Sequence, residues 1–247
     1  QAGNPIGSEI FHQIGLEHGI DDGTGKLLSV RQERSSVFFE QMTDSRTVAR
    51  AICVDLETGV LDTIRGGPLG ELFRSDCFVQ SIGGAGGNWA KGFYTDGIEL
   101  LDQVLDFLRR QTEACDCPQG YQICHSFAGG TGSGLGSLIV NKIREEFPDR
   151  VVSTISLVPS FKTDTYAEPY NFVLTMHQLS ENAEIVHILD NEAFYDTCFR
   201  TLQLTCPTYR NLNRLAVSAV SEITCPLRFS GVHNQDLRKT SMNLIPF

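Results

Sequence analysis

The chain has 247 residues, 41% of them apolar, and sets 20 Lys and Arg against 30 Asp and Glu for a net charge of −10. That size and apolar content fill one large domain or two ordinary ones. The acidic balance speaks against nucleic acid or an anionic membrane as the main partner, since either needs a basic face, and no apolar run reaches the length of a membrane span.

Both ends read as cut. Gln1 opens directly into QAGNPIGSEIF, which lacks the charged-then-apolar order of a signal peptide. The other end stops on the apolar MNLIPF, so the chain is expected to be part of a longer one. Residues 4–17 read as a helix with Ile6, Ile10, Phe11 and Ile14 on one face. A polar loop is expected from about Asp21 to Asp44. ARAICVDL, residues 49–56, reads as one buried strand leading to Asp55 and Glu57, and CFVQSI, residues 77–82, as a weaker strand ahead of GGAGG. Ile98, Leu101, Val104, Leu105 and Leu108 mark a helix over 96–113.

YQICHS, residues 121–126, reads as a strand, 133–147 as a helix, and VVSTISLV, residues 151–158, as a strand that Pro159 ends. PYNFVLTMHQL (169–179) is a helix, EIVHIL (184–189) a strand and 190–200 a short helix. TYRNLNRLAVSAVSEIT (208–224) is a longer helix with Leu212, Leu215, Ala216 and Ala219 inward. Strands alternating with helices predict an α/β fold with a doubly wound, mostly parallel sheet. In such a sheet ligands sit beyond the carboxyl ends of the strands. Asp55/Glu57, GGAGG, SFAGGTGSG, PSFKTD and Asp190/Asn191 all fall there.

Glycine inside an element costs roughly 0.5–1 kcal/mol relative to alanine, yet HSFAGGTGSGLGS, residues 125–137, holds five. Successive N–H groups at a helix start form an anion cradle, and Ser126, Thr131 and Ser133 add hydroxyls. The glycines at 129, 130, 132, 134 and 136 fit neither a P-loop nor G-x-G-x-x-G, which disfavours an ordinary ATP or NAD site. Close helix–strand packing is the competing explanation. Asp55 and Glu57 suit Mg²⁺ beside a phosphate chain and equally a solvated turn. Asn191 and Asn213 carry the donor–acceptor pair that suits a purine edge, with Tyr209 as a stacking ring, although asparagine caps are common. His125 and His177 read as core or boundary residues. The eight cysteines lack zinc spacing and read as reduced thiols.

AGGTGSG resembles the tubulin signature G-G-G-T-G-S-G, with Ala128 in first place. QAGNPIG, VDLETG, GNWAKG, DNEAFYDTCFRTL, PTYRNLNRL and NQDLRKTSMNLIPF also resemble tubulin segments, in tubulin order. The bacterial relative FtsZ shares the glycine loop but not WAKG, EPYN and DNEA. The resemblance implies a Rossmann-like GTP-binding domain over 1–206 that lacks its first strand, then a core helix and the start of an intermediate domain over 207–247. It places Gln1 near the phosphates and Mg²⁺, and gives the phosphates to Ser126, Gly129, Gly130, Thr131 and Gly132. Glu57 then reaches Mg²⁺, Asp164 and Glu168 the ribose, Asn191 and Asn213 the guanine, and Tyr209 stacks on the base.

DLRK and NEAFYDTCFRTL are β-like, and Lys239 stands where an α-type subunit carries its catalytic Glu. The resemblance therefore implies a divergent β-like subunit. It binds GTP or GDP with Mg²⁺ and polymerises head to tail with an α-tubulin-like partner, which supplies the acid for GTP hydrolysis. Microtubules of the cytoplasmic cytoskeleton, with centriole or cilium as variants, are the implied setting, and microtubule-associated proteins the implied further partners. A specialised, non-cycling subunit that nucleates, caps or decorates centriole-type structures is the alternative, and a dinucleotide oxidoreductase a third that the glycine spacing opposes. Ala2, Pro5 and Gly87 depart from the family pattern, and each lies near the implied nucleotide.

Overall fold

Val151–Val158 is apolar or small at nearly every position and is buried along almost its whole length, as a strand covered on both faces must be. In the computed structural model, which describes residues 2–21, 34–42, 46–160, 166–231 and 236–245, this segment is the middle strand of a parallel ladder. The described elements in chain order are α1 (Gly3–Glu17), β1 (Phe39–Gln41), β2 (Thr47–Ala49), β3 (Cys53–Asp55), α2 (Gly59–Gly66), β4 (Phe78–Gln80), α3 (Trp89–Tyr94), α4 (Asp96–Glu113), β5 (Gly120–Ser126), α5 (Gly136–Glu146), β6 (Val151–Val158), α6 (Glu168–Asn182), β7 (Ile185–Asp190), α7 (Asn191–Arg200), α8 (Tyr209–Arg228) and α9 (Leu237–Leu244).

β5, β6 and β7 pair in parallel, with Ser126 opposite Leu157 and Val158 opposite Asp190, so their carboxyl ends finish level. β3 and β4 form a second parallel pair that ends at Asp55 opposite Gln80. The expected α/β architecture is present. Its parallel strands fall into two blocks that are not bonded to each other among the described residues. α1 packs against both blocks. Between them lies a cavity of about 570 Å³ whose walls include Cys53 and Val54 of β3, Ile123 and Cys124 of β5, and Gly7 and Phe11 of α1.

Alternation along β6 decides which helices cover which face. Ile155 and Leu157 join Ile6, Ile10 and Ile14 of α1 and Ala216, Val217 and Val220 of α8 in one core. Val152 joins Val140 and Ile143 of α5 and Leu179 of α6 in another. Leu100, Leu101, Val104 and Leu105 of α4 pack with Leu138 of α5 and Val79 of β4. Helices on both faces make the sheet doubly wound. At the far ends of α1 and α8, the fully buried Arg228 guanidinium lies 2.6 Å from the Glu17 carboxylate and also bonds Ser221. Burial alone would raise the Glu17 pKa, but bonds from Ser221, Gln13 and Arg228 hold it below its ordinary value.

Several sequence expectations need correction. ARAICVDL is not one strand: β2 pairs antiparallel with β1, and the chain re-enters as β3 after residues 50–52, of which Arg50 still bonds the Phe38 carbonyl through its N–H at 2.8 Å. Within the break the Arg50 side chain bonds the carbonyls of Ser36 and Phe39. The polar loop expected over 21–44 contains β1, whose Phe39 is buried against Phe11; residues 22–33 and 43–45 lie outside the described set. Ile98 is exposed rather than inward, because Gly97 and Leu101 take the buried side of α4. The helix after the first glycine loop starts early, with a π turn over Thr131–Leu135, and α8 runs four residues past Thr224 through Pro226 to Arg228.

Candidate functional site

Two glycine loops meet at the carboxyl ends of the parallel strands. One joins β5 to the π turn that opens α5; the other, Gly83–Gly87, joins β4 to α3. They touch backbone to backbone. A Cβ on Gly130 would stand 2.7 Å from the Ala85 Cβ and the Asn88 nitrogen, and one on Gly134 would stand 2.3 Å from the Trp89 carbonyl oxygen. Gly132 leaves only 3.0 Å to the Ser126 backbone. These glycines satisfy the packing explanation for the run. Gly129 does not: a Cβ there meets nothing within 4 Å, and the same holds for Gly86 and Gly87, whose φ of +57° and +71° are left-handed. Open space therefore lies over both loops.

The first intrahelical bond runs from Ser133 N–H to Gly129 O at 3.2 Å. By helix geometry the N–H groups ahead of it, those of Gly130, Thr131 and Gly132, have no carbonyl one turn back to bond. They form the positive end of the α5 dipole. The π turn suits this place, since such turns recur at functional sites. His125, the penultimate residue of β5, braces the loop from below. It is 3% exposed, donates from Nδ1 to the Gly132 carbonyl at 3.0 Å, and accepts at Nε2 from the Ser156 hydroxyl at 2.9 Å. Burial pushes its pKa down to about 4, against weaker upward pulls from its backbone bonds at Gly132 and Ser126, so the ring is neutral near pH 7.

The carboxylates flank the second loop. Glu57 is exposed, with Oε1 3.0 Å from the Cβ position of Gly84. Asp55 is buried and receives the Asn4 amide at 3.4 Å; the same amide bonds Val54 O at 2.9 Å. Asn4 thus ties the start of α1 to the end of β3. Gly3 ties it to β5, since a side chain there would strike the Cys124 carbonyl at 2.5 Å. Lys91 bonds the Gly84 carbonyl at 3.0 Å and pairs with Asp96 at 3.3 Å. No group of three or more His, Cys, Asp or Glu forms a metal cage among the described residues. Magnesium beside phosphate needs only one or two carboxylates; Glu57 is the exposed carboxylate beside the second loop.

Of the residues singled out from sequence, Ser126, Gly129, Gly130, Thr131 and Gly132 share the first loop, and Glu57 abuts the second, which packs on it. Glu168 opens α6, one turn before Asn171, which touches both loops. Asn191 is the first residue of α7, directly beyond β7, where Asp190 caps the helix through the Glu192 N–H. Tyr209 and Asn213 sit one turn apart on α8, which packs on α7; Tyr209 is 72% exposed. Lys239 lies on α9 and is exposed. Gln1 and Asp164 lie outside the described residues. His125 is a core residue as expected, whereas His177 is exposed on α6. All eight cysteines are free thiols, and burial pushes Cys53 and Cys124 up to about 12 and Cys77 to about 11.

Asn171 was missed by sequence reasoning, and so were Asn4 and Lys91. A signal for Asn171 existed: Asn171, Thr175 and Leu179 recur every four residues on the buried side of α6, so a polar amide sits in an inward stripe. Compared with known protein families, residues 1–199 match Tubulin: Tubulin/FtsZ family, GTPase domain.

The His125 environment sets a pH dependence. The unfolded ring titrates near 6.5 and the folded one near 4, so acid favours the unfolded chain. Stability from this residue is complete above pH 6.5 and drains away as pH falls toward 4. Between pH 7 and pH 5 wild type is expected to lose about 2 kcal/mol more than His125→Gln. Urea unfolding of both at the two pH values checks this, and equal losses contradict it.

Proposed function

The chain belongs to the Tubulin/FtsZ family of GTPases, and we propose that it is a GTP-binding subunit that assembles head to tail, with hydrolysis completed by its neighbour. The observation that carries this is the meeting of two glycine loops at the strand ends, with open space over Gly129, Gly86 and Gly87 and helix-start N–H groups beside it. An anion there replaces lost helix-end bonds with charge-assisted ones, which are roughly twice as strong as neutral bonds.

In this reading the amides of Gly129, Gly130, Thr131 and Gly132 and the Ser126 and Thr131 hydroxyls hold the phosphates, with Gln1 beside them. Glu57 holds Mg²⁺ through water, and Mg²⁺ when bound neutralises the phosphate oxygens. Asp164 and Glu168 take the ribose, Asn191 and Asn213 the guanine edge, and Tyr209 the base face. The domain reaches 206, and the long helix α8 begins the link to a following domain.

This chain presents an ammonium, Lys239, where the catalytic carboxylate of an α-type subunit stands. An ammonium adds positive charge but cannot accept a proton from water. The partner is therefore an α-tubulin-like subunit, and microtubules are the setting.

Two measurements test these statements. Gly129→Ala puts a methyl group into open space, so folding is expected to be unchanged while GTP affinity falls at least roughly tenfold, about 1.4 kcal/mol. Gly130→Ala drives a methyl into Ala85 and Asn88 and is expected to lower thermal stability itself. Equal effects from the two would contradict the assignment of open and packed glycines. Turnover by the full-length subunit is expected to rise roughly 100-fold when a partner presenting a carboxylate is added, and not with its Glu→Gln variant. Fast turnover that ignores the partner refutes the shared site.

A further inference from the structure

Asn171 sits in the second turn of α6, is 4% exposed, and spends its whole side chain on the two glycine loops. Its Nδ2 donates to the Gly87 carbonyl at 2.7 Å and to the Ala128 carbonyl at 2.7 Å. Its Oδ1 accepts the Trp89 N–H, at the start of α3, at 3.1 Å. A primary amide has two donor hydrogens, and here each serves a different loop. The residue's backbone is fixed as well: its N–H bonds Ala167 O at 3.0 Å, and its carbonyl takes the Thr175 hydroxyl at 2.7 Å.

The consequence follows from peptide geometry. In a planar trans peptide the C=O and the following N–H point in opposite directions. Holding the Ala128 carbonyl toward α6 turns the Gly129 N–H away from α6, at the residue whose α-carbon faces open space. Holding the Gly87 carbonyl likewise turns the Asn88 N–H toward Ala85 O, which it reaches at 3.0 Å, closing the turn 85–88. Peptides flanked by glycine, such as 128–129 and 87–88, otherwise rotate at little steric cost.

We propose that Asn171 is a positioning residue that locks the two glycine loops into one unit and aims the Gly129 amide at the bound phosphate. It does not touch the reacting atoms. The proposal rests on the GTP reading for its ligand, but the locking of the loops stands on this chain's own bonds and is measurable without any nucleotide.

The experiment uses the full-length chain as wild type, Asn171→Asp and Asn171→Ala, with Leu179→Ala as a control on the same buried face of α6 but away from the loops. Asp keeps the shape and the acceptor but loses both donors. Amide hydrogen exchange without nucleotide is expected to accelerate at 84–89 and at 127–132 together in both Asn171 variants, and not in Leu179→Ala at matched stability. Should Asn171→Ala fail to fold, Asn171→Asp carries the comparison. Faster exchange in one loop only, or in neither, overturns the locking.

Binding of GTP and of guanosine, which lacks phosphates, supplies the second readout. GTP is expected to weaken at least roughly tenfold in Asn171→Asp, about 1.4 kcal/mol, with guanosine unchanged within about twofold. Equal loss of both ligands means a general packing role and overturns the aiming of Gly129. If wild type binds no GTP, the phosphate reading and the aiming claim fall while the exchange result still decides the locking.

Discussion

Everything at the site depends on two backbone segments lying closer together than side chains allow. Gly130 against Ala85 and Asn88, and Gly134 against Trp89, leave no room for a Cβ. Contact at that range fixes the loops relative to one another far better than side-chain packing, because no rotamer can absorb a displacement. Asn171 then secures from a third element what the glycines permit. The parallel strands deliver the loops to one level, and α1 is held to both strand blocks by Asn4 on β3 and by the close approach of Gly3 to β5.

The glycine run thus does two jobs that composition could not separate. Gly130, Gly132 and Gly134 are small because neighbouring backbone presses on them, whereas Gly129 faces space. Sequence periodicity told the truth about long elements: the helix over 96–113 and the strand over 151–158 stand as expected, since burial on one face or on both leaves a period that can be counted. It failed where side chains bond backbone groups far from them in the chain. Arg50 lies in the break inside ARAICVDL and bonds the carbonyls of Ser36 and Phe39, and Asn171 clamps residues 43 and 84 positions away in the chain.

The candidate site was legible in a similar, uneven way. Loops at strand ends could be placed from the α/β pattern alone, because parallel connectivity puts them on one side. The resemblance then attached nucleotide roles to Gly129, Glu57, Asn191 and Tyr209. Neither could tell which amides face space, and neither gave His125 its place under Gly132, where burial keeps the ring neutral and its Nδ1–H available to the loop. The chain contributes two meeting glycine loops, a carboxylate beside them and, on α9, Lys239. In the proposed function the missing proton acceptor belongs to the next subunit, so chemistry and assembly become one event.

The most direct measurement of the central claim is the nucleotide content of the purified full-length protein, released by denaturation and separated by chromatography. The account predicts GTP or GDP approaching one per chain. Bound NAD or FAD, or a folded protein that carries no guanine nucleotide and takes none up at millimolar GTP, would contradict it.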